Sequence, residues 1–211
     1  MTLCIGFGAN DMRRDTANTG GITRIERRAG WAPEEGDTYI VVGYLLPATR
    51  RRNFQGRARY FQRGELGLDA RWELAHLWAP RFGDEAAAGI MWAPTEMNQT
   101  FQNHIVEPWI TRLRDHAPPR SVEITAVATS WSGDFLSARY GWLGFKGAEF
   151  LKRVTYEVSS CPGGMVSPDA GVRLLGSSIA MELDAPRPGV LPRVVILEAE
   201  TLRGRVATLR R

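Results

Sequence analysis

The apolar positions of this chain fall mostly into short runs and two-residue alternations, the pattern of strands, with one longer stretch at helical spacing. The first clear run, Thr38–Leu46 (TYIVVGYLL), predicts a buried strand stopped by Pro47. Arg71–Trp78 reads as a second strand, with Trp72, Leu74 and His76 on one face and Arg71, Glu73 and Leu77 nearer the other. Residues 81–88 read as loop, and Pro94-Thr95 offers a helix start with Thr95 as its cap. Phe101, Ile105, Trp109 and Leu113 then recur at helical spacing and predict one buried stripe. Pro108 interrupts it, so either the helix kinks there or a second helix begins at Glu107 with proline in its first turn. The remaining half predicts strands over Ser121–Thr129, Glu149–Ser159, Ser178–Leu183 and Arg193–Leu202, separated by turn-rich stretches such as CPGGMVSPDAG and DAPRPGVLP. The fold class expected is α+β, mostly antiparallel strands with helix in the minority.

Residues 1–36 are rich in Gly, Asn, Asp and Arg without periodicity and read as an irregular N-terminal arm; residues 37–211 read as a single domain, with the motif core at 71–113. With 211 residues, 44% hydrophobic and 24% charged, the chain has ordinary globular composition and enough length for a substantial core. The net charge is +4, and the only lysines are Lys146 and Lys152. Arginine favours bidentate contacts to phosphate, while a GC-rich genome gives the same excess, so basicity alone does not decide the partner. The segment RRRNFQGRARYFQRGE carries the same two readings, a surface that grips phosphates and stacks bases or a solvated hairpin with anchoring aromatics. Cys4 and Cys161 are too few and too far apart for a zinc site or disulfide framework, so both read as reduced. No apolar run reaches membrane-spanning length and no signal peptide is legible, so a soluble unit is expected.

The candidate chemistry starts from scarcity, since His76, His104 and His116 are the only histidines. His76 alone sits between a strand and a Gly-Asp-Glu loop, where an imidazole titrating near neutrality can take a proton from water and deliver the nucleophile to a phosphodiester. Such hydrolysis needs positive charge at the scissile phosphate, which a divalent cation supplies. Asn98, 22 residues after His76 and in the first turn of the predicted helix, offers an amide oxygen suited to Mg²⁺. Gln102, one turn on, is a possible helper; Asn103, with Glu107 a turn beyond, or His104 in a set with His76 and Asn98, are alternative ligands. Taken singly, His76 is equally a core histidine and Asn98 a helix cap.

The run AHLWAPRFGDE followed by APTEMN resembles the ββα-metal (His-Me finger) nucleases, in particular the DNA/RNA non-specific endonuclease domains of bacterial polymorphic toxins. The resemblance covers about 40 of the 211 residues. It implies a ββα-metal hairpin–helix core, a single Mg²⁺ or Mn²⁺ ion, His76 as the catalytic histidine, Asn98 as the metal-ligand asparagine, and Asp84 and Glu85 as support from the connecting loop. Ala75 departs from the glycine or acidic ligand that members carry there.

The leading expectation is therefore metal-assisted hydrolysis of DNA or RNA, with Arg57, Arg59, Arg71 or Arg81 clamping adjacent phosphates. A toxin of this type implies a larger parent polypeptide or secretion apparatus, a cognate immunity protein, synthesis in a bacterial cytoplasm and action in the cytoplasm of a target cell. Two other classes stand beside it. One is a non-catalytic, Arg-rich interaction domain; the other is a metal-independent RNase that uses His76 with an acid such as Glu73. Gly6-Phe7-Gly8 lacks the third glycine of a dinucleotide fingerprint, since Asp11 stands there, and Ser130-Trp131-Ser132-Gly133 lacks the first glycine of a nucleophile elbow.

Overall fold

The computed structural model describes residues 21–50, 63–114, 119–141, 148–160 and 177–199. Its frame is an eight-stranded sheet built from β1 (Ile22–Arg28), β2 (Glu35–Tyr44), β3 (Trp72–Ala75), β4 (Met91–Pro94), β5 (Val122–Trp131), β6 (Phe150–Ser160), β7 (Ser177–Leu183) and β8 (Val194–Ala199). The expected α+β class with a mostly antiparallel sheet is what the chain forms.

Strand β6 is the spine. One of its edges pairs antiparallel with β5 from Val122↔Ser160 to Trp131↔Phe150. On the other edge Arg153–Val158 pairs with β7, while Phe150 meets Trp92 of β4 in the one parallel contact. The sheet therefore forks at β6, with β7–β8 on one branch and the β3–β4 hairpin on the other. Strict alternation makes β5 one-sided. Val122, Ile124, Ala126, Ala128 and Ser130 are buried, and the residues between them are half-buried.

The predicted strands from residue 121 onward lie within a residue or two of their expected bounds, apart from the end of the last, since residues 200–202 fall outside the described residues. Other boundaries differ for physical reasons. Strand β1 occupies part of the stretch read as irregular; only Ile25 of ITRIERR is buried, so an edge strand of charged residues leaves no hydrophobic period to read. The rest of that stretch up to residue 20 lies outside the described residues. Strand β3 ends at Ala75, short of the expected Trp78, and His76 lies just past it. Strand β4 has no alternation because all four of its residues are buried. Ser132 caps α2 (Gly133–Tyr140) by accepting from the Phe135 N–H, a helix that the sequence reading missed.

The predicted helix is present in two windings. Glu96–Val106 is a π-helix, closed by the Glu107 N–H donating to the Gln102 carbonyl five residues back. It continues directly into α1 (Glu107–Arg114), with Pro108 in the first turn as the second reading has it; the Asn103 carbonyl five residues back, which an N–H at 108 would meet, accepts from Arg81 instead. Thr95 is not the cap expected. It is already helical, its hydroxyl has no partner, and its N–H donates to the Arg71 carbonyl to close the hairpin.

Met97, Ile105 and Val106 of the π-helix join Trp109, Ile110 and Leu113 of α1 against the inner face of the sheet. Trp78, Phe82 and Tyr156 complete this core with edge-on ring contacts of 5.6 and 6.2 Å. A second cluster gathers Leu66, Trp72, Trp92, Leu136 and Phe150, with Trp72 edge-on to Phe150.

The loop from Leu77 to Ile90 turns at Gly83, which has φ of +99° and follows the 3₁₀ turn Pro80–Phe82. A Cβ at Gly83 would lie 2.3 Å from the Leu46 Cβ and 2.7 Å from its backbone. Gly83→Ala combines a left-handed backbone with a clash that the strand end cannot move away from, so we expect a loss of about 1–3 kcal/mol. Urea unfolding of the variant beside wild type measures it, and an unchanged midpoint would refute this role for the glycine.

Candidate functional site

The hairpin, its long connecting loop and the π-helix converge where β3 ends. Gln102, buried on the π-helix, donates through Nε2 to the His76 carbonyl at 3.1 Å and to the Tyr156 hydroxyl at 2.9 Å. Tyr156, on the inner face of β6, donates in turn to the Leu77 carbonyl at 3.0 Å. These three bonds fix the backbone at His76–Leu77 from two sides. Burial holds the Tyr156 hydroxyl well above the usual range, against the opposing pull of the Gln102 bond, so it stays a donor at any working pH.

The His76 imidazole presents Nδ1 to Glu85 Oε1 at 3.3 Å; the Glu85 side chain is fully buried and that of His76 is 16% exposed. The loop builds this pairing. Asp84, itself buried, accepts from the Glu85 N–H at 2.9 Å and from the Ile22 N–H at 3.3 Å, which ties the loop to β1. A carboxylate out of water is costly unless paired, and the imidazole is a partner that gains a proton when chemistry demands it. Glu85 and Asp84, expected as loop support, thus differ in role: Asp84 ties down the backbone, and Glu85 faces the histidine.

Asn98 belongs to a second cluster. Its Nδ2 donates to Glu73 Oε2 at 2.5 Å, and Gln99 Nε2 donates to the same oxygen at 2.8 Å. Asn103 Nδ2 continues the chain to Gln99 Oε1 at 3.0 Å. The structure therefore pairs the two leading sequence candidates with two different carboxylates, His76 with Glu85 and Asn98 with Glu73. Gln102 holds the backbone of His76, and its own Oε1 is buried without a hydrogen-bond partner. Among the described residues no three or more His, Cys, Asp or Glu side chains gather as a metal group. A divalent ion here would be held by the Glu73 carboxylate with amide oxygens of Asn98 and Gln99. That donor set fits if the Asn98 and Gln99 amides turn by half a revolution to offer oxygen where they now offer nitrogen, with the Asn103 amide turning likewise to accept from Gln99.

The remaining candidates are dispersed. His104 is exposed on the π-helix. Arg71 pairs with Asp69 at 2.5 Å on the surface, which holds the Asp69 carboxyl below its usual range. Arg81 reaches Glu107 at 3.4 Å and the Asn103 carbonyl at 3.2 Å, bracing the junction between the π-helix and α1. Arg57 and Arg59 lie outside the described residues. The sequence reading missed Tyr156 and Gln99. A tyrosine at an inward position of an alternating strand is a usable signal, since its hydroxyl must find a partner in the core.

A further titratable group stands at the start of β6. Burial raises the Glu149 carboxyl; the Tyr39 hydroxyl, donating to it at 2.7 Å, pulls the other way, and Asp37 adds to the rise. Burial and Glu149 likewise raise the Tyr39 hydroxyl far above its usual value. A carboxyl raised in the folded state contributes stability below its unfolded range, near pH 4, and loses it as pH climbs through the folded value. Glu149→Gln keeps an acceptor for Tyr39 and cannot ionise. Thermal unfolding should show the two proteins alike near pH 4 and the variant gaining on wild type toward pH 8; parallel curves would contradict the assignment.

Residues 69–164 match the family described as Ntox4, bacterial toxin 4. This stretch, from the hairpin through β6, supports a bacterial toxin domain. No curated protein and no solved structure matches the chain.

Proposed function

We propose that this chain is a bacterial toxin effector domain that hydrolyses the phosphodiesters of nucleic acid, with His76 as general base. The observation that carries the reading is the imidazole at the end of β3 with Nδ1 at 3.3 Å from the buried Glu85 carboxylate, beside a helix that follows the β3–β4 hairpin and begins with Asn98 in its first turn. This order of strand, loop, strand and helix is the order that the ββα-metal resemblance implies.

With Nδ1 turned to Glu85, proton transfer to and from the substrate falls to Nε2. Nε2 takes the proton of the attacking water, and the positive charge that develops on the ring is stabilised by the Glu85 carboxylate. Gln102 and Tyr156 keep the strand end from shifting as charge builds. Mg²⁺ or Mn²⁺, held by Glu73 with Asn98 and Gln99, would supply positive charge to the phosphate oxygens and the leaving group. The family match supports a larger parent polypeptide and an immunity partner in general terms. No helix among the described residues is long and apolar enough to cross a membrane.

A second reading rests on the same pair. Glu85, not the Glu73 that the sequence suggested, is the acid that faces His76; without a metal, His76 can take the proton of an RNA 2′-hydroxyl as it attacks the adjacent phosphorus and pass it to the departing 5′-oxygen. The purified protein incubated with plasmid DNA and with total RNA, in Mg²⁺ or Mn²⁺ and again in EDTA, separates the two. We expect metal-dependent cleavage that falls about 10²–10⁴-fold in His76→Ala and also falls in Asn98→Ala. Chelator-insensitive cleavage of RNA alone would favour the second reading. Full activity in a folded His76→Ala variant would overturn both, and the lack of any cleavage would favour an interaction domain.

A further inference from the structure

A cavity of about 360 Å³ opens where the end of β5 and the start of α2 face β1 and β2. It shares no lining residue with the His76–Glu85 pair or the Glu73 cluster. Its wall carries Arg27, Asp37, Tyr39, Trp131, Asp134 and Glu149, together with serines and small residues. Three carboxyl groups thus stand against one guanidinium, an inversion of sign in a chain whose net charge is +4. A phosphate or other anion has no counter-charge to gain here, because Arg27 is already paired with Asp37 through both Nε and a terminal nitrogen.

We propose that this cavity is a binding site for an organic cation, a guanidinium or primary ammonium group of a size its volume admits. Such groups are already held in its wall and beside it. The Arg27 guanidinium lies 5.7 Å from the Tyr39 ring centre beside a carboxylate, and the Lys152 ammonium lies 4.9 Å from the Trp131 ring centre while pairing with Glu35 at 2.9 Å. Aromatic faces next to acids are therefore the recurrent chemistry of this end of the sheet. Among the described residues no cation pairs directly with Glu149 or Asp134, and Arg27 acts on Glu149 only through space. Among the described residues the Glu149 carboxyl accepts one hydrogen bond, from Tyr39, and Asp134 is exposed in the first turn of α2. A bound cation would lie between them, and Glu149, held toward its neutral form by burial and by Asp37 against the pull of Arg27, would give up its proton to solvent as the cation binds. The indole N–H of Trp131 is buried without an acceptor. It can receive a carbonyl carried beside the cation, as in an arginine or lysine unit. The cation can come from a free small molecule or from a basic side chain of a partner protein, and the chemistry recognised is the same.

Calorimetric titration of the full chain with N-acetyl-arginine amide, its uncharged isostere N-acetyl-citrulline amide and ribose tests the site. We expect saturable binding of the arginine derivative only, weakened at least tenfold in Glu149→Gln and in Asp134→Asn, and tighter at pH 8 than at pH 5. The Asp134 variant alters an exposed position and keeps the test valid if the Glu149 variant misfolds. Arginine within a short peptide binding more tightly than the amide would identify a protein side chain as the source, and the reverse a free ligand; either supports the site. Equal binding of citrulline amide, binding of ribose instead, unchanged affinity in both variants, or no saturable binding would overturn it.

Discussion

The organisation of this domain depends on one buried hydroxyl. Tyr156 reaches from the central strand β6 to the carbonyl of Leu77 and accepts from Gln102, which also holds the carbonyl of His76. Strand, loop and helix meet at that point, and each supplies a polar group that the core would otherwise leave unsatisfied. Because β6 also carries both branches of the forked sheet, this node sets the hairpin and its histidine relative to the rest of the fold. A buried side chain on the central strand thereby controls the geometry at a largely buried imidazole.

Much of this fold is legible in the sequence because the information is periodic. The alternation of Val122–Ser130 and the helical recurrence of Phe101, Ile105, Trp109 and Leu113 record which side faces the core, and the elements are there. Strands β1 and β4 fail the same test from opposite directions. The first is an edge strand with one buried residue, and the second is buried throughout. Neither leaves an alternation. The winding of Glu96–Val106 is illegible for another reason: α and π geometries bury nearly the same apolar residues, and the difference lies in backbone hydrogen bonding.

The site is legible residue by residue but not pair by pair. Scarcity and position single out His76, and the FGDE loop is visible beside it. That Glu85 and not Glu73 faces the imidazole follows from the left-handed turn at Gly83 and the tethering of Asp84 to β1, both tertiary facts. Glu73 is drawn away by the amides of Asn98 and Gln99, and the sequence does not carry the rotation of the helix that brings them there. The acidic cavity at Glu149 leaves even less trace, since its wall is assembled from residues as far apart as Arg27 and Glu149.

The π-helix also bears on how this segment tolerates change. Each of its turns closes over one more residue than an α-turn, so the stretch between the hairpin and Pro108 contains slack in chain length. A single-residue deletion there is absorbed by rewinding part of the segment as α-helix, with the Pro108 junction and the strand end both left in place. Without such rewinding, the deletion swings the side chains ahead of it by roughly a quarter turn relative to those behind it. The hydrophobic anchors of α1 would keep their seats while Asn98 and Gln99 faced a new direction.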